Sequence, residues 1–153
     1  CDQLVSLVDL YATLASLLRF PLAPDEAPDS VSMLPLMRDP NAPPVRSSLV
    51  HQSIDGSLSL RRGTWKLEMC PGSGGWSFPR PKSAEEDGLP PLQLYDLAAD
   101  IGETTNVAHL HSEIVASMRE ELAEIVRRGR STPGPSLAND GVAVWESVAW
   151  LDD

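Results

Sequence analysis

The sequence predicts an α+β fold: a small antiparallel sheet of about four strands packed with a C-terminal amphipathic helix, preceded by an apolar N-terminal helix. Three observations carry this. All 14 prolines fall within residues 21–44, 71–91 and 133–135, and proline cannot donate to a helix or sheet ladder. Regular structure is therefore confined to 1–20, 45–70, 92–132 and 136–153. Short alternating segments in 45–70 are joined by tight turns, which imposes antiparallel pairing. Residues Ser112–Arg128 carry a one-sided apolar stripe at helical spacing.

The first block reads as a helix over 1–20. Leu4, Leu7, Tyr11, Leu14 and Leu18 recur at three- and four-residue steps, with Val8, Leu10 and Leu17 beside them. Asp2 or Ser6 stands where an N-cap is needed, and Pro21 ends the run. Its apolar surface wraps most of the way round, which calls for neighbours on several sides. Residues 21–44 read as a proline-rich ordered loop that packs down through Val31–Met37.

Ser47–Ser53 reads as the first strand, and Ile54-Asp55-Gly56-Ser57 as a hairpin turn. Ser57–Arg61 follows, with Leu58 and Leu60 on one face. After a turn at Arg62-Gly63, Trp65, Leu67 and Met69 alternate with Lys66 and Glu68 on the opposite face. Residues 71–91 read as a long loop, and Leu92–Leu97 as the fourth strand. Asp100–Asn106 is a polar loop. Ser112 then begins a helix whose Ile114, Val115, Met118, Leu122, Ile125 and Val126 form the stripe, with Glu113 at its start, Arg127 and Arg128 at its end and Gly129 as the C-cap. The tail 136–153 holds at most a short element around Val142–Trp150.

Composition narrows the function. The 153 residues carry 12 Lys and Arg against 22 Asp and Glu, a net charge of −10. That opposes non-specific nucleic-acid binding and attraction to anionic lipid. No apolar run approaches the roughly 20 residues that span a bilayer. The two cysteines, Cys1 and Cys70, do not fix the redox compartment, since a terminal cysteine is poorly tethered. The start, without Met or a basic leader region, reads as cut from something longer.

The residues alone assemble no catalytic constellation. Gly72, Gly74 and Gly75 fit neither a P-loop nor a dinucleotide fingerprint. His109 and His111 precede the last helix, with no cluster of further ligands to complete a metal site. There is no Gly-x-Ser-x-Gly elbow, and Cys70 lacks a basic neighbour to activate it, so it reads as a packing residue. His51, at the end of a strand just before the hairpin turn, is the one pocket candidate.

Several stretches together resemble the C-terminal portion of the type I (formylglycine-dependent) sulfatases, most closely the bacterial arylsulfatase A-like enzymes. Val8–Ala15 resembles their "D-L-x-P-T-L" helix, with Ala12 in place of the usual proline. Asp29–Leu36 resembles the "D-G-x-S-L-x-P-L" connector, with Ser30 where glycine is common. His51–Ser57 and Arg61–Leu67 resemble the hairpin ending in "R-x-G-x-W-K-L". Leu94–Asn106 resembles "L-Y-D-L-x-x-D-P-x-E-x-x-N", with Ile101 in place of proline, and Gly129–Gly134 resembles a tail of this bacterial subgroup. The motifs stand in the right order across about residues 5–135. Glu103 and Asn106 are expected to tie the loop backbone before the helix.

The resemblance implies hydrolysis of sulfate esters by a formylglycine nucleophile and a calcium ion. Neither is expected in this chain. Ser77-Phe-Pro-Arg-Pro81 and Ser131-Thr-Pro-Gly-Pro135 match the nucleophile motif "C/S-x-P/A-x-R" at the first and third positions but end in proline. Cys1 and Cys70 fail at the third position, and Asn139-Asp140 lies outside the resemblance. No catalytic or metal residue is therefore carried over, and the isolated chain is expected to be inactive.

The implied organisation is 1–44, a helix and connector from the end of the catalytic domain; 45–135, the C-terminal subdomain; and 136–153, a tail. The partners implied are the chain's own upstream α/β catalytic domain, which the first helix would face, and a sulfate-ester substrate, with His51 lining its pocket. No nucleic-acid or membrane partner is expected, and the intact enzyme would be periplasmic or secreted. The alternatives are a stand-alone module docking a partner through the first helix, or the C-terminal part of a related phosphodiesterase of the alkaline phosphatase superfamily.

Overall fold

A computed structural model describes residues 2–139 and 145–151. The elements are α1 (Asp9–Leu18), α2 (Leu34–Arg38), β1 (Ser48–Gln52), β2 (Leu58–Arg62), β3 (Trp65–Glu68), α3 (Pro81–Glu86), β4 (Gln93–Asp96) and α4 (Ser112–Arg128), with 3-10 turns at Ala108–Leu110 and Glu146–Leu151. The α+β class expected from the sequence is the one observed. Contacts divide the chain into two units, Cys1–Leu49 with Glu124–Asp140 and Val50–Ala123 with Gly141–Asp153.

The second unit holds β1 from Val50 on together with β2, β3 and β4, and the strands run in chain order, β1-β2-β3-β4. Antiparallel register sets Leu60 opposite Leu67, and Leu67 opposite Leu94. All three are fully buried, as are Met118 and Leu122 of α4. Arg62 stands on the same face and reaches Ser117 and Glu121 of α4 at 3.1 and 3.0 Å. The β1–β2 turn follows its Asp-Gly signal: Gly56 has φ +92° and Ser57 N–H donates to Asp55 Oδ1. The loop after β4 is tied as expected by Asn106, which accepts from Leu94 and Ala108 N–H and donates to Leu92 O. Glu103 departs from its expected role. Asp100 ties Thr104 and Thr105 instead, and these backbone donors hold its carboxyl below the usual range. Glu103 is left free to turn toward β3.

The first unit differs from expectation at α1, which begins at Asp9 rather than near residue 1. Neither Asp2 nor Ser6 caps it; Val8 occupies the N-cap without a side-chain bond. The cause lies in Asp9, whose carboxylate is fully buried. It accepts from Ser6 and Val31 N–H and pairs with Arg46, and these bonds fix the chain just before the first helical turn. The buried face of α1 holds Asp9, Ala12 and Thr13, while Leu10, Tyr11, Leu14, Leu17 and Leu18 are exposed. The helix is therefore two-sided, not apolar all round. Arg19, left-handed at φ 56°, ends it before Pro21 is reached.

Two short helices lie inside the proline-rich segments read as loops. α2 tolerates Pro35 because a first-turn N–H has no intrahelical partner to lose, and α3 opens on Pro81 for the same reason. The connector before α2 supplies α1 with partners: Met33 N–H donates to Thr13 Oγ1, and Ala12 N–H to Ser30 Oγ, both at 2.9 Å. The segment after α4 closes over this connector. Gly129 takes the C-cap at φ +63°, and buried Arg130 donates to Pro24 O, Pro135 O and Thr132 O. The short element expected near Val142–Trp150 is the 3-10 turn Glu146–Leu151, and residues 142–144 lie outside those described.

The bond between Ala12 and Ser30 joins two of the three places where the sequence departs from the motif pattern: a proline at 12 would lack the N–H, and a glycine at 30 would lack the hydroxyl. Ser30→Gly alone therefore orphans a buried donor, whereas Ser30→Gly with Ala12→Pro removes donor and acceptor together. A double-mutant cycle by urea unfolding is expected to show coupling of about 1 kcal/mol; strict additivity would refute the compensation. Asp9→Ala, which strands Arg46 in a buried site, is expected to lower stability by about 3–5 kcal/mol in the same assay.

Candidate functional site

Because side chains alternate along a strand, the leucine face dictates what its opposite carries. Register places Ser59, Glu68 and Gln93 in one row and Arg61, Lys66 and Tyr95 in the next. These rows, with the end of β1 and the segment after β3, bound a cleft of about 330 Å³ within the second unit. Its walls include His51, Gln52, Ser59, Lys66, Glu68 and Cys70. The structure thus places the candidate His51 at the cleft, on an exposed position of β1.

Lys66 is the centre of the charge arrangement. Its Nζ lies 2.7 Å from Glu68 Oε1 and 2.7 Å from Glu103 Oε2. Burial pulls the Lys66 pKa down, but the hydrogen bonds it donates to Glu103 and Glu68 outweigh this and raise the net value. Glu103 delivers its carboxylate from a left-handed backbone at φ 53°, a conformation that non-glycine residues rarely hold. His51 is shifted the other way: loss of solvent around the ring, then the charges of Lys66 and Arg61, lower its pKa. The shift favours the neutral imidazole at the cleft, relative to an ordinary value near 6.5.

Gln93 locks the cleft floor. Its Nε2 donates to Cys70 O and Gly72 O at 2.9 and 2.7 Å, and its Oε1 accepts from Tyr95 OH at 2.6 Å. Burial, and then Glu68 and Glu103, push the Tyr95 phenol up. The glycines of the following loop serve close packing: a Cβ on Gly72 would lie 2.6 Å from Pro79 O. Gly74 O accepts from Ser53 Oγ at 2.5 Å and from Asp55 N–H at 3.4 Å, pinning the loop to the hairpin turn.

The other two histidines do not join His51. His111 packs against Trp65, ring centroids 4.9 Å apart, and Trp65 belongs to the leucine face. Exposed His109 lies in the 3-10 turn. Among the described residues no group of three His, Cys, Asp or Glu side chains is placed to hold a metal ion. The sequence reading missed Lys66, Glu68, Glu103 and Gln93 as site residues. The alternation of Lys66 and Glu68 against Trp65 and Leu67 was a usable signal for two of them, and only the fold reveals Glu103.

Cys70 is a free, buried thiol. Burial, with Glu68 adding to it, pushes its pKa from 9.0 up to about 11. A raised value means the folded state holds the proton more tightly. The resulting stabilisation is complete below the unfolded thiol's pKa and is lost as pH rises through about 11. In a Cys1→Ser background, native-state alkylation of Cys70 is expected to be slow at pH 8 and to accelerate only toward pH 11. Labelling at pH 8 as fast as in the denatured chain would refute this.

No family model matches the chain. It is 34% identical over 127 residues to an N-acetylgalactosamine-6-O-sulfatase of Bacteroides thetaiotaomicron, an alignment covering 83% of this chain and 24% of that protein. A solved Bacteroides thetaiotaomicron 6S-sulf chain, from work on metabolism of multiple glycosaminoglycans, superposes with TM-score 0.60 at 32% identity, covering 76% of this chain and 24% of that one. The crystal structure of Ps i-CgsB in complex with k-i-k-neocarrahexaose shares the fold, with TM-score 0.55 at 20% identity over 80% of this chain and 24% of that one. The chain thus spans about a quarter of the length of the relatives it matches.

Proposed function

Taking the chain as the C-terminal portion of a sulfatase, we propose that it completes an enzyme hydrolysing sulfate esters of sugars. The observation that carries this is the 34% identity to an N-acetylgalactosamine-6-O-sulfatase, together with the ordered motifs along the sequence. The formylglycine nucleophile and calcium belong to an upstream catalytic domain, and this chain supplies neither. The exposed stripe Leu10, Tyr11, Leu14, Leu17 and Leu18 is the surface that domain covers, since an apolar helix face of this extent is rarely left in water. His51 lines the substrate pocket as a neutral hydrogen-bonding group. No helix among the described residues is long and apolar enough to cross a membrane, and the intact enzyme acts in the periplasm or outside the cell.

Purified full-length enzyme is expected to release sulfate from N-acetylgalactosamine 6-sulfate in a calcium-dependent reaction, and the 153-residue chain to release none. Absence of sulfate release by the full-length enzyme, or turnover by the isolated chain, would overturn the proposal. His51→Ala in the full-length enzyme is expected to lower kcat/KM about ten-fold, the worth of one hydrogen bond to substrate; unchanged kcat/KM would remove His51 from the pocket.

A further inference from the structure

The last described segment lies beyond the family motifs, yet it is docked with a definite sidedness. In the 3-10 turn Glu146–Leu151, residues three apart share a flank. Ser147 and Trp150, with Val148 and Leu151 beside them, are half-buried, whereas Glu146 and Ala149 are exposed. The turn is braced from within by Trp150 Nε1, which donates to Ser147 O at 2.9 Å. Two contacts tie it to the rest of the second unit. Arg119 of α4 donates to Trp150 O and holds its guanidinium carbon 5.9 Å from the indole centroid. Ser147 Oγ fills the space beside Gly56, 2.6 Å from where a Cβ would stand. The segment therefore bridges α4 and the turn of the β1–β2 hairpin.

That hairpin has little else to hold it. β1 is an edge strand, paired on one side only, and beyond Leu49 none of its residues is buried. Ile54 in the turn is 69% exposed, so apolar packing does not secure the tip. A segment with few buried apolar contacts opens locally unless other bonds restrain it. Gly74 O restrains Ser53 and Asp55, and Ser147 meets the turn at Gly56. Gly56 O accepts in turn from Gln52 Nε2 at 3.5 Å, which links the restrained turn to the neighbour of His51.

We propose that Glu146–Leu151 is a strap that fixes the β1–β2 hairpin, with Arg119 and Ser147 as positioning residues for His51. The strap stands on these contacts, and its consequence for turnover rests on the sulfatase reading. The test compares the full-length enzyme with a variant lacking 145–153, with Arg119→Ala and with Arg119→Lys. Hydrogen exchange of the 53–57 amides is expected to be about ten-fold faster without the strap and in Arg119→Ala. Arg119→Lys, which keeps a donor for Trp150 O, is expected to stay near wild type. Exchange at Leu60 and Leu67 is expected to be unchanged, which separates a local tie from general stability. Removing the strap is also expected to lower kcat/KM about three-fold, less than loss of His51 itself, and to add nothing in a His51→Ala background. Unchanged exchange at 53–57, or equal acceleration at Leu60 and Leu67, would overturn the strap. Unchanged kcat/KM, or a further loss in the His51→Ala background, would overturn the positioning role. Exchange requires no turnover, so an enzyme that releases no sulfate sinks the sulfatase reading while exchange still decides the strap.

Discussion

The ladder Leu60–Leu67–Leu94 is the constraint from which the second unit follows. Three fully buried leucines in one cross-strand row fix the register, because a slip of one residue would turn all of them to the wrong face. With register fixed, the neighbours have no freedom. Ser59, Glu68 and Gln93, then Arg61, Lys66 and Tyr95, must emerge together on the opposite side. Burial of each leucine is worth roughly 1.5–3 kcal/mol, far more than any exposed ion pair. The polar cluster is thus assembled by apolar packing behind it. Its own pairs need only refine it.

The first unit is organised on the opposite logic. Its central contacts are polar: Asp9 with Arg46, Thr13 with the Met33 amide, and Arg130 with proline-flanked carbonyls. A connector holding seven prolines has few N–H groups and no ladder to join, so its carbonyls need donors from elsewhere. Arginine, with five donors in a rigid fork, is the side chain that can satisfy several at once. This also explains why α1 turns its small and polar residues inward. Asp9, Ala12 and Thr13 are sized and equipped to meet backbone groups, and the large apolar residues are left for another surface.

This division sets what was legible in the sequence. The hairpin at Asp55-Gly56, the alternation through Trp65–Glu68 and the stripe of α4 are local signals whose periodicity states the answer, and they place His51 at a strand end beside the turn. The start of α1 was misread because a leucine-rich repeat outweighed one aspartate. The signal lay in Asp9 and Thr13, a polar i, i+4 pair around Ala12 that marks a helix face meeting backbone. Glu103 lay beyond reach. It sits 37 residues from Lys66 in the chain, and its role requires both the β3–β4 register and a left-handed backbone within a loop that Asp100 holds.

Glu103 also shows how a site can be tuned without touching a ligand. The loop after β4 could have ended in a flexible carboxylate, which would exchange between Lys66 and water. Asp100 and Asn106 instead immobilise the loop at both ends through backbone donors, so the carboxylate reaches Lys66 already oriented. Its partner Glu68 is equally fixed, being a strand residue directly opposite Gln93. Lys66 is therefore held from two sides by groups whose positions cost little further entropy. It keeps its proton, and His51 beside it loses the tendency to gain one. The two shifts have opposite signs, upward for the lysine and downward for the histidine, and both trace to the same cluster of charges and its burial.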